Sequence, residues 1–358
     1  MTPVTEVDDK DESSASMQRV VVREGGIDLV ETQKPTPKSN EALVQMVYSG
    51  VCGSDTHAAA GHHPFVPLPY LPGHEVVGIV RDVGEDVKDA KVDDHVTVDP
   101  TLPCWNCKMC RTDRSNLCEN LRFFGCGYSQ GGMADYFTIP ADRLHVIPSG
   151  ISDLSAILIE PLATPVHAVR LSGGVADKAV VIIGAGTIGL LTLAAARHAG
   201  ARTIIMTDML ASKRERALQL GADQVFDAAS PDLPELIRAE LGESVDVVFD
   251  CVSIQSTVNL AIDLALKAGT VMIVGVPAGP VTIPLPVIQD LQVRIQGSAT
   301  YMPEDYATAT EIIQSGAVTP ERFVTAQFSL LDVSSAFAAS ASGEHVKVVV
   351  KGEVGGVS

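Results

Sequence analysis

Four cysteines crowd into one short stretch of the chain, at Cys104, Cys107, Cys110 and Cys118. Their C-x2-C-x2-C-x7-C spacing suits four thiolates around one tetrahedral zinc ion, with no open coordination position. An iron–sulfur cluster is one alternative, but bacterial ferredoxin spacing places three residues and then a Cys-Pro pair after the third cysteine. Disulfide bonds are the other alternative. In a reducing compartment, however, cysteines spaced this closely indicate metal ligation instead. The pattern predicts a structural zinc site, which stabilises a fold but cannot activate a substrate.

A second group of residues combines sulfur, nitrogen and carboxylate ligands. The strings GVCGSDTH at 50–57, PGHE at 72–75 and EPLA at 160–163 supply them. Cys, His and carboxylate form the mixed set of a catalytic zinc, which keeps one position for water or substrate. Taken singly, His74 would be a core or surface histidine and Glu160 an ordinary acid at a helix start. The hypothesis depends on their order along the chain and on the resemblance described below.

A glycine-rich string, GAGTIG at 184–189, follows the apolar run 179–183 and precedes a predicted helix. Gly184 permits a tight turn, Gly186 lets the backbone approach a pyrophosphate, and Gly189 allows close packing of helix on strand. The helix N-terminus would hold the phosphates, because its free N–H groups and dipole favour anions. Such a string is weak evidence alone, but the strand–turn–helix context predicts a dinucleotide site.

Asp208 ends the next predicted strand. A carboxylate there accepts hydrogen bonds from both ribose hydroxyls of NAD and repels the 2′-phosphate of NADP. The nearby Lys213 and Arg214 would soften that preference, and a glycine turn with a helix-capping Asp is the alternative without a nucleotide. The pattern favours NAD. Further candidate cofactor contacts are Ile188, Lys213, Val274, Val276 and Ala299.

The elements that must position these residues fall into two regions. Short β-type runs separated by Gly, Pro and Asp turns indicate a β-rich region from residue 20 to about 147. Beyond residue 161, strands alternate with helices, which predicts right-handed βαβ units in a buried parallel sheet. The predicted strands are 180–183, 203–207, 224–226, 245–249, 270–274 and 293–296, and the predicted helices are 188–199, 211–220, 233–241 and 257–267. Six strands match the doubly wound (Rossmann) fold.

A helix at 303–315 and a strand at 346–351 follow, and we expect both to return to the β-rich region. The sequence therefore predicts an α/β protein of two domains. These are a β-rich catalytic domain at 18–165 and 301–358, which carries the cysteine lobe at about 99–125, and a dinucleotide-binding domain at 166–300. Residues 1–17 are acidic and Ser-rich and are predicted to stay flexible.

Together these strings closely resemble the medium-chain zinc-dependent alcohol dehydrogenases over residues 20–351, and within them the sorbitol, butanediol and threonine dehydrogenase branch. The strings that carry the resemblance are GVCGSDTH, PGHE, the four-cysteine lobe, EPLA and GAGTIG. The resemblance implies a GroES-like catalytic domain. It also assigns the catalytic zinc to Cys52, His74, Glu75 and Glu160, with Glu75 able to act through water. Liver-type relatives have Cys in place of Glu160, which favours the polyol and diol branch.

The resemblance also implies a reaction, the reversible oxidation of a secondary alcohol with hydride transfer to the nicotinamide. Ser54 and His57 correspond to a relay that carries the proton to solvent, a role that suits imidazole with its unperturbed pKa of about 6.5. The alternatives are a helix cap for Ser54 and a solvated surface position for His57. Asp55 is expected to orient a ligand rather than to catalyse.

Two positions depart from the sorbitol branch. Ala58 stands where that branch has Tyr, and Thr300 stands where it has the Arg that contacts polyol hydroxyls, whereas Tyr301 matches. The segment FFG at 123–125 is similar to the butanediol dehydrogenases. We therefore expect a small vicinal diol or short polyol, contacted by Thr300 and Tyr301. The alternatives are L-threonine as the substrate, an aldehyde or ketone reductase, and a protein that binds a dinucleotide without turnover.

The formal net charge of −18 repels phosphate backbones and anionic membranes, which argues against nucleic-acid and membrane partners. No uncharged apolar run reaches membrane-spanning length and no signal-peptide pattern is visible, so a cytoplasmic protein is expected. Cys126 and Cys251 are predicted to be plain buried thiols. The resemblance implies two zinc ions per chain and a homo-tetramer or homo-dimer that pairs through the nucleotide domains.

Overall fold

The computed structural model describes residues 16–61, 63 and 66–353. Within them the strands are β1 (Ser16–Arg23), β2 (Gly26–Gln33), β3 (Glu41–Val51), β4 (Val76–Val83), β5 (His95–Val98), β6 (Thr101–Leu102), β7 (Arg122–Phe123), β8 (Tyr136–Pro140), β9 (Leu144–Val146), β10 (Ala179–Ile183), β11 (Thr203–Asp208), β12 (Gln224–Asp227), β13 (Val245–Asp250), β14 (Ala265–Ile273), β15 (Arg294–Gly297), β16 (Val324–Ser329) and β17 (Lys347–Lys351). The α-helices are α1 (Gly53–Ala59), α2 (Asp153–Ala156), α3 (Ile159–Leu171), α4 (Thr187–His198), α5 (Ala211–Gln219), α6 (Leu233–Leu241), α7 (Gln255–Leu264), α8 (Leu285–Leu291), α9 (Pro303–Gln314), α10 (Pro320–Phe323) and α11 (Val333–Ala341).

β10 lies inside a six-stranded sheet in which every pairing is parallel. The strand order is β12-β11-β10-β13-β14-β15. Counted from β10, this is the 3-2-1-4-5-6 order of the doubly wound dinucleotide-binding fold. All five residues of β10 are buried, as expected for a strand whose sheet is covered on both faces by helices. The predicted Rossmann sheet is confirmed.

One helix of this region ends earlier than predicted. We expected a helix over residues 257–267, but α7 ends at Leu264 and β14 begins at Ala265. Ala265 pairs with Val245 of β13, and Ala268 has a φ of 61°, in the left-handed region that a right-handed helix excludes. Pairing with the neighbouring strand therefore outweighs the helical periodicity of the sequence.

The β-rich region is built around a seven-stranded sheet of order β16-β17-β3-β4-β5-β9, in which β8 also pairs with β3. β3 is long and almost wholly buried, and it runs antiparallel to β4, β8 and β17. β16 and β17 follow the six-stranded sheet in the chain, so the polypeptide returns to its first sheet after leaving it. That return brings side chains from both ends of the sequence to the same strand ends.

β1 begins earlier than the sequence analysis expected. Ser16 and Met17 were assigned to the flexible acidic segment, but both lie in β1, which pairs with β2 along its whole length. Met17 is buried, because the strand places it against the body of the domain. The remaining part of that segment, residues 1–15, lies outside the described residues.

α3 packs against α4 and α9, and ten of its thirteen residues are buried. The stretch Asp153–Leu171, which includes α3, is long and apolar enough to cross a membrane by length and composition. However, 72% of that apolar window is buried inside the protein, as in the core helix of a globular fold. A polar side chain on this helix, such as Glu160 in its first turn, is thereby held in the protein interior.

Candidate active site and metal centres

Three of the four candidate catalytic ligands, Cys52, His74 and Glu75, meet at one end of the β3–β4 pair. Cys52 follows β3 and is the N-cap of α1, while His74 and Glu75 directly precede β4. The antiparallel register places Ser49 opposite Val76, which brings the two ligand-bearing segments side by side. As a result the Cys52 sulfur, one His74 nitrogen and one Glu75 oxygen all lie within 4.8 Å of one another.

Gly50 makes room for the carboxylate of Glu75. A Cβ atom at position 50 would lie 1.9 Å from Glu75 Oε2, which no side chain can satisfy. The Gly50 N–H also donates to the Glu75 carbonyl at 2.8 Å. The glycine two residues before Cys52 is therefore required by the packing of the site itself.

Lys347, which the sequence analysis missed, supplies a cation to Glu75. It begins β17, which pairs with β3, and its Nζ lies 2.6 Å from both carboxylate oxygens of Glu75. The two side chains are 3% and 1% exposed. Burial alone would lower the pKa of Lys347, but Glu75, together with the nearby Cys52 and Glu160, raises the pKa of Lys347 overall. The buried pair therefore holds the Glu75 side chain in position.

His74 is held through its Nδ1 atom. That nitrogen lies 3.4 Å from Cys126 Sγ and 3.9 Å from Asp55 Oδ1. Asp55 is fully buried, and its carboxylate also accepts the Cys52 N–H at 3.0 Å and the Tyr70 hydroxyl at 3.3 Å. Asp55 thus fixes the backbone of Cys52 by a hydrogen bond and lies near His74, a position that suits a residue behind the metal ligands. Cys126 is a neighbour of His74 rather than a plain core thiol.

Glu160 lies beside this cluster but is not among the three ligand atoms within 4.8 Å of one another. It is 5% exposed, and the Tyr301 hydroxyl donates a hydrogen bond to its Oε1. Burial raises the pKa of Glu160 to about 7, while nearby His74 acts in the opposite direction and Glu75 adds to the rise. These electrostatic influences show that Glu160 shares the environment of the other candidate ligands.

The donor set fits a catalytic zinc ion. A partly buried thiol, a buried imidazole and a buried carboxylate converge, and zinc sites that keep an open position use such mixed sets. Calcium and magnesium prefer oxygen ligands alone, so the Cys52 sulfur argues against them. Asp55 and Lys347 supply the outer partners that such ligands need.

The two proposed relay residues lie on α1, next to Cys52. Ser54 is partly buried and His57 is exposed to solvent. In the part of the chain that the structure describes, no hydrogen bond joins Ser54 to His57 directly. Their position between the ligand cluster and the surface suits a proton path, and the relay stays a prediction.

The four lobe cysteines form a compact cluster of free thiols, and their sulfur atoms all lie within 4.8 Å of one another. Cys107 Sγ lies 3.5 Å from that of Cys110 and 3.9 Å from that of Cys118. A tetrahedral site with Zn–S bonds of about 2.3 Å has sulfur–sulfur edges of about 3.8 Å. The backbone N–H of Asn106 lowers the pKa of the Cys104 thiol to about 6, which favours the thiolate that a metal needs. The lobe fits a closed zinc site.

The glycine-rich turn has the geometry of a phosphate-binding turn. Gly184 has a φ of 94°, which favours glycine, and a Cβ atom at Gly189 would lie 1.8 Å from the Gly184 carbonyl oxygen. Gly186 is the N-cap of α4, and a Cβ atom there would meet nothing within 4 Å. Its backbone is therefore open to a ligand at a helix N-terminus, where anions bind.

Asp208 ends β11 and lies against this turn, because its Oδ2 accepts the Ala185 N–H at 2.9 Å. Arg214 is engaged elsewhere. Its guanidinium donates to the carbonyls of Asp208 and Met209 at 2.8 Å and pairs with Asp227 at 3.1 Å. The charge of Arg214 is thus neutralised within the protein.

The remaining candidate cofactor contacts differ in accessibility. Val274 is buried, whereas Val276 is 56% exposed; both follow β14 at the carboxyl ends of the parallel strands, where ligands bind in this fold. Ala299 is exposed beyond β15, and Ile188 and Lys213 are partly exposed on their helices.

The two predicted substrate contacts have hydrogen-bond partners within the protein. Tyr301 is 2% exposed and its hydroxyl is bound to Glu160. Thr300 Oγ1 donates to the carbonyls of Ala299 at 2.7 Å and of Asn116, in the cysteine lobe, at 3.3 Å. Neither side chain presents its hydroxyl to an open cleft. The sequence alone could not show this, because it gives the position of each residue in the chain but not the direction of its side chain.

Comparison with known proteins agrees with this architecture. Residues 38–149 match the alcohol dehydrogenase GroES-like domain and residues 187–315 match the zinc-binding dehydrogenase family. Sorbitol dehydrogenase of Arabidopsis thaliana is 32% identical, with 88% of this chain and 89% of that protein covered.

Two solved structures are also similar. A protein of Sinorhizobium meliloti 1021, described as a zinc-binding dehydrogenase and bound to NADP, has a TM-score of 0.88 and 34% identity over 94% of this chain and 99% of its own. The 2R,3R-butanediol dehydrogenase of Bacillus subtilis has a TM-score of 0.87 and 26% identity over 94% and 99% of the two chains. The chain belongs to the zinc-binding alcohol dehydrogenase family and is an oxidoreductase.

Proposed function

We propose that this protein reversibly oxidises a small vicinal diol or short polyol to the ketone, with NAD as the hydride acceptor and two zinc ions per chain. The observation that carries the proposal is the mixed ligand cluster of Cys52, His74 and Glu75 in a chain that also has a glycine-rich dinucleotide turn. The similarity to a sorbitol dehydrogenase and a butanediol dehydrogenase supports this substrate class.

The residues of the site divide the chemistry among them. Zinc, when bound, supplies a Lewis acid that polarises the alcohol oxygen and lowers its pKa. Asp55 fixes the backbone of Cys52 next to His74, and Lys347 holds Glu75. Ser54 and His57 would carry the alcohol proton to solvent, and a nicotinamide held at the glycine-rich turn would supply the acceptor for the carbinol hydride.

A preference for NAD over NADP is supported by the charges around Asp208. Its carboxylate is held against the glycine-rich turn, where it would repel a 2′-phosphate. Arg214, a cation that could bind such a phosphate, is already paired with Asp227. Replacing Asp208 with Ala should therefore raise the ratio of kcat/KM for NADP to that for NAD, whereas Asp232→Ala on the exposed surface should not.

A small diol fits better than sorbitol because the polyol-binding side chains are absent. Position 300 is Thr and is hydrogen-bonded to the lobe, and position 58 is a buried Ala. L-Threonine is the second candidate, but among the residues that the structure describes no pair of groups for its ammonium and carboxylate lies at the ligand cluster. Aldehyde or ketone reduction is the same reaction in reverse.

We further propose a cytoplasmic homo-oligomer that binds neither nucleic acid nor membranes. All seven cysteines are free thiols, as in a reducing compartment, and the net charge is −18. Exposed apolar residues on the segment before the edge strand β15, Val276, Leu285 and Val287, support pairing through the dinucleotide domains. Light scattering of the purified protein gives the oligomeric state.

The test combines metal analysis with a substrate screen. We expect two zinc ions per chain and reduction of NAD with 2,3-butanediol above that with sorbitol, xylitol or L-threonine. Cys52→Ala should lose one zinc ion and the activity, while His198→Ala, on the exposed end of α4, should keep both. One zinc ion in the wild-type protein, or activity that survives in Cys52→Ala, would contradict the proposal.

A further inference from the structure

The cysteine lobe contacts the segment that carries Tyr301. Asn116 lies two residues before Cys118 and is buried. Its side-chain amide donates to the Ala299 carbonyl at 3.1 Å, and its own backbone carbonyl accepts the Thr300 hydroxyl at 3.3 Å. The residues just before Tyr301 are thus held by hydrogen bonds to the lobe.

The same asparagine reaches the helix that carries Glu160. Asn116 Nδ2 lies 3.4 Å from His167 Nε2, and His167 is seven residues after Glu160, about two turns along the same face of α3. The other ring nitrogen of His167 lies 2.7 Å from Asp305 Oδ2, which also accepts the Met302 N–H at 2.7 Å. Asn116 therefore links the lobe to the helix that carries Glu160 and to the segment that carries Tyr301. These two residues form the hydrogen bond described above.

We propose that the four-cysteine lobe positions Glu160 for the catalytic metal. Asn116 holds residues 299–302, and Tyr301 on that segment holds the Glu160 carboxylate. Tyr301 is a positioning residue, because it acts on the metal site through Glu160. The cysteine lobe, whose closed ligand set leaves no reactive position, thereby contributes to the geometry of the reactive site.

The expected change in zinc affinity follows from residues that hydrogen-bond to metal ligands in other proteins. Loss of such a residue changes metal affinity or activity by about 10–100-fold. The inference rests on the proposed function only because it counts Glu160 among the residues of the metal site. Its tests therefore measure metal binding and not turnover.

The first test compares two buried tyrosines. Tyr301 and Tyr306 pack edge to face at 5.2 Å, but the Tyr306 hydroxyl donates to the Val98 carbonyl at 3.0 Å. Tyr301→Phe should weaken zinc binding at the Cys52 site about tenfold in chelator competition and shift the visible bands of the cobalt-substituted protein. Tyr306→Phe removes a hydroxyl of similar burial that contacts Tyr301 but is not bonded to Glu160, so it should change both by much less. Equal effects of the two variants would overturn the role of Tyr301.

The second test addresses the lobe. Asn116→Ala and Thr300→Ala each remove a hydrogen bond between the lobe and residues 299–302, so both should weaken zinc binding at the Cys52 site while the cysteine lobe keeps its own zinc. Thr112→Ala is the control, because its exposed hydroxyl bonds only the Lys108 and Met109 carbonyls within the lobe and accepts from Arg114 there.

Thr300 is partly exposed, so its variant should fold even where Asn116→Ala does not. The role of the lobe would be overturned if folded Thr300→Ala binds zinc at the Cys52 site with wild-type affinity. Asn116→Ala, where it folds, would have to give the same result. A wild-type protein without zinc at that site would contradict the proposed function instead, so the two failures are distinguishable.

Discussion

Replacing Lys347 with Met is expected to destabilise the protein by about 3–5 kcal/mol, the usual effect of removing one partner from a buried ion pair. The structure supports the upper part of that range. Both Glu75 oxygens lie 2.6 Å from Lys347 Nζ, and the two side chains are 3% and 1% exposed. Met has a similar length and fills the same space, so the loss reflects an uncompensated carboxylate rather than a cavity.

The free energy of unfolding is measured by urea denaturation followed by circular dichroism, with a chelator present so that metal binding does not contribute. Lys351→Met is the matched control, because Lys351 lies on the same strand and is exposed. It should change the free energy of unfolding by less than about 1 kcal/mol, as expected for a surface position. The Lys347→Met variant combined with Glu75→Gln should recover much of the loss, since no buried charge is then left unpaired.

A Lys347→Met variant as stable as Lys351→Met would refute the reasoning. It would mean that water or another cation compensates Glu75 in the folded protein. A double variant less stable than Lys347→Met alone would refute it too, because the penalty would then not arise from the charge of Glu75.

Three further predictions concern other parts of the chain. Gly189→Ala should abolish NADH binding in a fluorescence titration, because its Cβ atom would lie 1.8 Å from the Gly184 carbonyl oxygen, whereas Gly279→Ala, with open space, should bind normally. His57→Gln should slow turnover and alter its pH profile while zinc is retained; unchanged kinetics would remove His57 from the relay. Burial, aided by Arg143, lowers the pKa of His145 to about 4. The wild-type protein should therefore lose stability as the pH falls from 6.5 towards 4. Urea titrations of His145→Phe should show a smaller loss.

The sign of the last prediction follows from proton binding. The unfolded chain binds a proton at His145 near pH 6.5, whereas the folded chain binds it only near pH 4. Stability from this group is therefore fully present above pH 6.5 and is lost as the pH falls through that interval. If the free energy of unfolding depends on pH equally in the wild-type protein and in His145→Phe, His145 does not control the loss of stability.

Local strings were enough to predict the parts of the site that are local in the chain. The Gly184–Gly189 turn and the lobe cysteines lie within short segments whose geometry follows from their own residues. The alternation of strands and helices likewise predicted the six parallel strands, because the central strands contain continuous apolar runs such as Ala179–Ile183.

Contacts between distant segments could not be predicted in this way. Lys347 stands in an otherwise apolar run and pairs with Glu75, 272 residues earlier, only because β17 returns beside β3. Thr300 resembled a substrate contact by position, yet its hydroxyl bonds to the lobe, 184 residues away. The helix predicted over 257–267 ended early for the same reason, since a partner strand and not the local pattern determines Ala265.

The pairing of β17 with β3 has a consequence for biosynthesis. A ribosome makes Glu75 well before Lys347, and 272 residues at about 5–20 residues per second correspond to an interval on the order of 10–50 s. During that time the nascent β-rich region has an acidic metal-binding cluster without its cation and a sheet whose β3 edge is open. The first sheet is therefore completed, and Glu75 gains its buried cation, only after the dinucleotide domain has been synthesised.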